Sequence, residues 1–221
     1  MSEIDRERER ELRHAIVEVG RWMWERNHIA GTDGNISARL DQDHLLTTPS
    51  GIAKGRMNTS DLVITDLSGR VMEGNGRPSS ELKVHLATYR LRSDVGSVVH
   101  AHPRTAVALT LAGVSLAPVV IPETVLTLGI IAAADYETPG TEALVSVMEE
   151  SLLRHDAIIM DRHGSITLGT DPYHAYNRLE SLEHAAQILF MARALGNVEP
   201  LPETEVAHLF ELAGHTDQNG E

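Results

Sequence analysis

Val98-Val99-His100-Ala101-His102-Pro103 is an apolar run that ends in two histidines one residue apart. Read as a strand, its period of two puts His100 and His102 on one face, roughly 7 Å apart along the backbone and within reach of a single cation. Pro103 then ends the strand. Just upstream, Ser79-Ser80-Glu81 opens a helix running to about Arg92, with Leu82, His85, Leu86 and Tyr89 recurring at spacings of three and four. Ser79 or Ser80 is the predicted N-cap. Downstream, the pattern predicts a helix from Pro103 to Leu111 and a strand near Ala117 to Ile121, while the apolar segment Thr124 to Ile131 fits no single element.

Toward the N-terminus, residues 3 to 26 read as an amphipathic helix, with Ile4, Leu12, Ile16, Val19 and Met23 on its apolar stripe. Trp22 and Trp24 cannot both face that core, so one of them covers a loop or a subunit contact. Gly31-Thr32-Asp33-Gly34-Asn35-Ile36-Ser37 is a turn entering a strand, and His44 to Thr48 is a second strand before the turn Thr48-Pro49-Ser50-Gly51. Leu62 to Asp66 and Arg70 to Met72 pair across Ser68-Gly69. Toward the C-terminus, Thr141 to Arg154 is helical, Ala157 to Met160 and Ser165 to Leu168 form a hairpin around Asp161-Arg162-His163-Gly164, and Asp171-Pro172 caps a long helix to about Leu195. One short helix and a polar end follow Leu201. Hairpins alternating with helices predict an α/β layered domain with a largely antiparallel central sheet.

A chain of 221 residues fits one domain, 1–221, with a core of about 8–195 and a tail of 196–221. It has no cysteine, which excludes disulfides and thiolate metal sites and leaves only nitrogen and oxygen ligands among its 12 histidines and its acids. A formal charge of −13 argues against a nucleic-acid or anionic-membrane partner. The charged start lacks an apolar signal core, and no run approaches the roughly 20 apolar residues of a membrane span, so a cytoplasmic location is expected.

Catalytic zinc commonly takes three protein ligands and leaves one position open. His100 and His102 supply two, and His163, in a turn before Gly164, is the candidate for the third. His85, four residues after Glu81, is open to three readings: a rival ligand, a partner behind the ligands, or a half-buried helix histidine. Most of His14, His28, His44, His155, His174, His184, His208 and His215 read as surface residues. Glu81 has two readings: an acid favoured at a helix start, or a carboxylate that meets the metal and then moves protons as general base and acid. Thr32, Asn35, Ser50, Gly51, Ser79 and Ser80 come from three small polar loops that can converge on a phosphate.

These segments, in this order, resemble the class II aldolase/adducin family. The matching pieces are Gly31 to Ser37, Thr48 to Gly51, Pro78 to Glu81, Val98 to His102 and His163-Gly164, and the likeness spans about residues 8 to 195. It implies a single-domain, three-layer class II aldolase-like α/β fold with a mostly antiparallel central sheet flanked by helices. It further implies Zn2+ held by His100, His102, His163 and Glu81, with Mn2+, Co2+ or Fe2+ as chemically reasonable substitutes. Thr32, Asn35, Ser50, Gly51, Ser79 and Ser80 become the phosphate cradle. The implied reaction is reversible cleavage of a ketose 1-phosphate, such as L-fuculose 1-phosphate, into dihydroxyacetone phosphate and an aldehyde, in a homotetramer with interfacial active sites. The family's aldehyde-side tyrosine is absent near Ile121, and its aromatic C-terminal tail is replaced by residues 214–221. Glu123 and Tyr136 are the remaining aldehyde-side candidates. A pentulose-phosphate 4-epimerase, a sugar-acid phosphate decarboxylase and a metal-free adducin-like binding protein are the alternatives that the family holds.

Overall fold

In the computed structural model the chain is described from residue 5 to residue 214. Ile4, His215 and the polar end 215–221 lie outside the described residues. The first helix, α1 (Arg6–Glu25), is set by Asp5, whose carboxylate accepts hydrogen bonds from the backbone N–H groups of Glu7 and Arg8, a cap worth about 1 kcal/mol. Its buried stripe, Ile16, Val19 and Met23, packs on the sheet. Trp22 stacks near Tyr173 and Tyr176, while Trp24 lies over Gly55, where a Cβ would come within 2.5 Å of the indole. One tryptophan thus faces the core and the other covers a loop.

The sheet holds β1 (Asn35–Arg39), β2 (His44–Thr47), β3 (Val63–Asp66), β4 (Val71–Glu73), β5 (Ser97–Ala101), β6 (Ile131–Ala134), β7 (Ala157–Met160) and β8 (Gly164–Gly169), in the order β4-β3-β2-β1-β5-β8-β7-β6. The fold is α/β, and the sheet is mixed, which corrects the expected mostly antiparallel three-layer arrangement at one pair, β6 with β7. The β6 strand runs parallel to β7 because the chain crosses between them through a helix rather than a hairpin. The remaining neighbours pair antiparallel.

Helices cover both faces. On one side α1 and α6 (Pro172–Leu195) bury Ile16, Val19, Met23 and Leu179 against Ile36, Leu46, Val99 and Ala101. On the other side α2 (Leu82–Leu91) and α5 (Glu142–Arg154) bury Leu82, Leu86, Leu144, Met148 and Leu152 against Val98, Ile158, Ile166 and Leu168. Adjacent Val98 and Val99 enter opposite cores, as the pleat of β5 requires. The other helices are α3 (Arg104–Leu111), α4 (Pro122–Leu128) and α7 (Glu203–Ala213).

One expectation fails between α3 and β6. Residues 117–121 form no strand: Pro118 cannot donate to a ladder, and the segment is held instead by Leu201 N–H donating to the Val119 carbonyl at 2.8 Å. The unassigned run Thr124 to Ile131 contains two elements, α4 and the start of β6, separated at Gly129 (φ +68°).

Candidate metal centre

His100 lies near the C-terminal end of β5 and His102 just beyond it, where the pleat turns both side chains toward α2. The register pairs Asn35 of β1 with His100 and Ser165 of β8 with Ala101, so the turn carrying His163 meets the same sheet end. Gly164 makes this possible. A Cβ there would press on the Ala101 carbonyl oxygen and sit 2.7 Å from His102 Cδ2. Gly34 has a matching role on the other side, with φ +70° and room for no Cβ between Ile29 and the His100 carbonyl.

One nitrogen from each of His100, His102 and His163 lies within 4.8 Å of the others. His102 Nε2 is 3.1 Å from His100 Nε2, Glu81 Oε2 is 3.2 Å from His100 Nε2 and Glu81 Oε1 is 3.0 Å from His163 Nε2. Ligands about 2.0–2.1 Å from a tetrahedral zinc stand roughly 3.3–3.4 Å apart, so the donor set fits a small divalent cation. His100 Nδ1 also lies 2.9 Å from the Ser165 carbonyl oxygen; an Nδ1–H donated there leaves the Nε2 lone pair facing the cluster.

Glu81 is the N-cap residue of α2, but its side chain does not cap the helix. Ser79 Oγ accepts from Glu81 N–H at 3.2 Å, which fixes the turn and frees the Glu81 carboxylate to reach the histidines. The serine expected as N-cap therefore holds the turn before the helix. Burial would raise the Glu81 carboxyl pKa, but hydrogen bonds and charge from His100 and His163 outweigh it and hold the group well below the usual carboxylate range. His102 is lowered to about 4, first by burial and then by the neighbouring imidazoles. A neutral His102 and an ionised Glu81 are the forms in which each binds a metal.

The three polar loops are stitched together. Asn35 Nδ2 donates to Glu81 Oε2 at 3.1 Å and to Ser79 Oγ at 3.4 Å. Ser50 N–H donates to the Arg77 carbonyl at 2.7 Å, and Pro49 bridges Pro78. Thr32, Ser50, Gly51 and Ser80 remain exposed and Ser79 is half-buried beside them. Glu123, in the first turn of α4, and Tyr136, 55% exposed beyond β6, both lie on the surface of the chain.

Three groups escaped the sequence reading. Asp33 Oδ2 is 3.6 Å from His102 Nδ1; it stood inside a motif read only as a turn. Glu183 of α6, fully buried, accepts from the N–H groups of Thr105 and Ala106 and anchors the start of α3 just past His102. Lys54 is buried and donates to the Thr32 carbonyl, and nothing in its local pattern signals it. His28 and His44 are buried rather than on the surface, the latter with Nδ1 2.9 Å from the Asp41 carboxylate. His85 is fully buried, with Nδ1 2.7 Å from Ser37 Oγ, and is not part of the cluster.

An α/β sheet whose strand ends gather three imidazoles and a carboxylate beside three hydroxyl-bearing loops defines a candidate metalloenzyme. The model of the class II aldolase and adducin N-terminal domain matches residues 14–190, and the chain belongs to that family. It is similar to the 5-deoxy-D-ribulose 1-phosphate aldolase of Bacillus thuringiensis serovar kurstaki, 33% identical over 198 residues that cover 89% of this chain and 92% of the relative. It is also similar to the 3-oxo-tetronate 4-phosphate decarboxylase of Haemophilus influenzae, 30% identical over 88% of this chain and 93% of the relative. A solved structure of an L-fuculose 1-phosphate aldolase superposes with a TM-score of 0.84 at 28% identity, covering 91% of this chain and 95% of that one.

Proposed function

We propose that this protein is a metal-dependent aldehyde-lyase that reversibly cleaves a ketose 1-phosphate, such as L-fuculose 1-phosphate or a 5-deoxypentulose 1-phosphate, into dihydroxyacetone phosphate and an aldehyde. The observation that carries this reading is the set of 3.0–3.2 Å separations joining Glu81, His100, His102 and His163. Those four residues would hold zinc, or manganese, cobalt or iron, all of which accept imidazole and carboxylate ligands. When bound, such an ion supplies Lewis acidity, polarising the ketone oxygen and offsetting the negative charge that develops as the carbon–carbon bond breaks.

The chain's own residues divide the remaining work. Thr32, Asn35, Ser50, Gly51, Ser79 and Ser80 bind the phosphate and set the distance from it to the reacting carbons. In cleavage the hydroxyl proton of the nascent aldehyde passes to the ionised Glu81 carboxylate, the bond's electron pair passes toward the ketone, and Glu81 then delivers that proton to the carbon left behind. Glu81 is free for this once substrate oxygens take its place beside His100 and His163. Asn35, donating to Glu81 Oε2, keeps one carboxylate oxygen aimed at the site. Glu123 or Tyr136 would contact the aldehyde. Since both lie on the surface of the single chain, we assign that end to a homotetramer interface. The exposed apolar residues Phe190, Met191, Leu195 and Leu212 on α6 and α7 support such an assembly.

A sugar-acid phosphate decarboxylase is the second reading, favoured by the decarboxylase relative. The same electron flow follows loss of carbon dioxide instead of an aldehyde. Metal analysis of the purified protein, followed by condensation assays with dihydroxyacetone phosphate and a panel of short aldehydes, separates the two. About one ion per chain with a phosphorylated condensation product supports the lyase. Metal with carbon dioxide release from a 3-oxo acid phosphate, and no condensation, selects the decarboxylase.

A further inference from the structure

Lys54 is 2% exposed, the largest fully buried side chain among the described residues, and one of only two lysines in the sequence. Lysine is almost never buried without a purpose for its charge. Its backbone lies close against α1 at Gly20, where a Cβ would meet the Lys54 carbonyl oxygen at 3.0 Å. Trp24 closes over the next residue, Gly55. From this seat Nζ reaches the Thr32 carbonyl at 2.7 Å. The N–H on the other side of the same peptide plane, that of Asp33, donates to the Ala30 carbonyl at 2.9 Å. Both polar ends of the Thr32–Asp33 peptide are therefore held, and a planar peptide held at both ends cannot rotate. That peptide carries the Thr32 hydroxyl, in the proposed phosphate cradle, and the Asp33 carboxylate, beside His102.

The cradle residues themselves supply hydroxyls, amides and glycine but no cation, in a chain of net charge −13. A phosphate dianion there faces Asp33 and Glu81. Burial lowers the Lys54 pKa, and those two carboxylates oppose the shift, which ties the ammonium electrostatically to both ends of the site.

We propose that Lys54 is the positioning residue of the phosphate-binding end: it pins the Thr32–Asp33 peptide from beneath and places the one buried ammonium of the site behind the phosphate loops. This rests on the reading that those loops take a phosphate, and it adds a residue to that reading. Lys54 acts through Thr32 and through its charge, without touching the reacting carbons.

The test uses inorganic phosphate as the probe and measures its dissociation constant for the metal-loaded full chain by calorimetry, independently of turnover. Lys54→Met should weaken phosphate binding at least about tenfold, the scale of one lost charge-assisted interaction, and should raise KM for the phosphorylated substrate by a larger factor than it lowers kcat. The absence of native cysteine allows a rescue. Lys54→Cys, alkylated in denaturant with 2-bromoethylamine and refolded, regains an ammonium as bromide leaves the thiolate-attacked carbon. The same variant alkylated with iodoacetamide carries a neutral amide. Phosphate affinity restored by the first and not the second supports the inference, and this pair serves even if Lys54→Met fails to fold. Equal affinity for the two alkylated forms, or a folded Lys54→Met with unaltered phosphate binding, overturns it. Wild-type protein that takes up no phosphate at millimolar concentration overturns the phosphate reading of the loops and the Lys54 inference with it.

Discussion

Glu81 Oε1 lies 3.0 Å from His163 Nε2, although one residue starts a helix on one side of the sheet and the other sits in a hairpin turn beyond β7. The second carboxylate oxygen faces His100 at 3.2 Å. Such a bridging carboxylate holds the cluster together and, displaced, becomes a proton carrier. Glu81→Gln should therefore keep the fold and lower kcat by about 10²–10⁴, the usual cost of a lost acid/base group. Steady-state kinetics beside circular dichroism decide it; a variant with near-normal turnover would make Glu81 structural.

Gly164→Ala tests the close approach on which the centre depends. The added Cβ would press on the Ala101 carbonyl and on the His102 ring, and backbone cannot give way as a flexible side chain can. Overpacking of this kind costs about 1–3 kcal/mol. Urea unfolding should show that loss, and metal titration should show weaker binding because the His102 ring must move. Unchanged metal affinity would mean that His102 is not held at the site by this contact.

The elements that sequence reading placed well are those whose signals are local. Ile16, Val19 and Met23 of α1 carry their own period, and Asp171-Pro172 before α6 its own cap. His100 and His102 were legible because a strand repeats every two residues. What stayed hidden is what the fold brings from afar. Glu183 is chosen by the packing of α6 on α3, and Lys54 by a lone side chain crossing to Thr32; neither leaves a repeat or a neighbouring motif. Residues 117–121 misled because an apolar run of strand length holds one side chain, Val120, against a core cluster, while its backbone pairs with nothing periodic. The parallel β6 was missed because α4 and β6 share one unbroken apolar stretch.

Metal removal should destabilise the protein before it unfolds it. Three imidazoles within 4.8 Å of one another, with a carboxylate 3.0–3.2 Å from two of them, bind an ion that the unfolded chain cannot hold in that arrangement. A ligand at 100 times its dissociation constant adds about 2.7 kcal/mol. Thermal melts with and without a chelator should differ by several degrees, with recovery on adding zinc, and His100→Ala should melt at one temperature in both. Catalytic turnover that survives complete chelation would sink the metal-dependent mechanism.

His85 supplies a pH dependence set first by its own burial. It is fully buried, and burial, reinforced by charge on His100, lowers its pKa from 6.5 to about 3. The unfolded chain therefore binds this proton at a higher pH than the folded one. Its contribution is whole above about pH 6.5 and is lost as pH falls toward 3, with a slope of up to about 1.4 kcal/mol per pH unit for the one proton. Urea unfolding at pH 7, 5.5 and 4.5 should show wild-type stability falling, and His85→Gln should fall less steeply by up to that slope, whatever its absolute stability after losing the bond to Ser37. Parallel slopes for the two proteins would show that His85 does not stay neutral in the fold, and that its environment beneath Glu81 is wetter than its burial indicates.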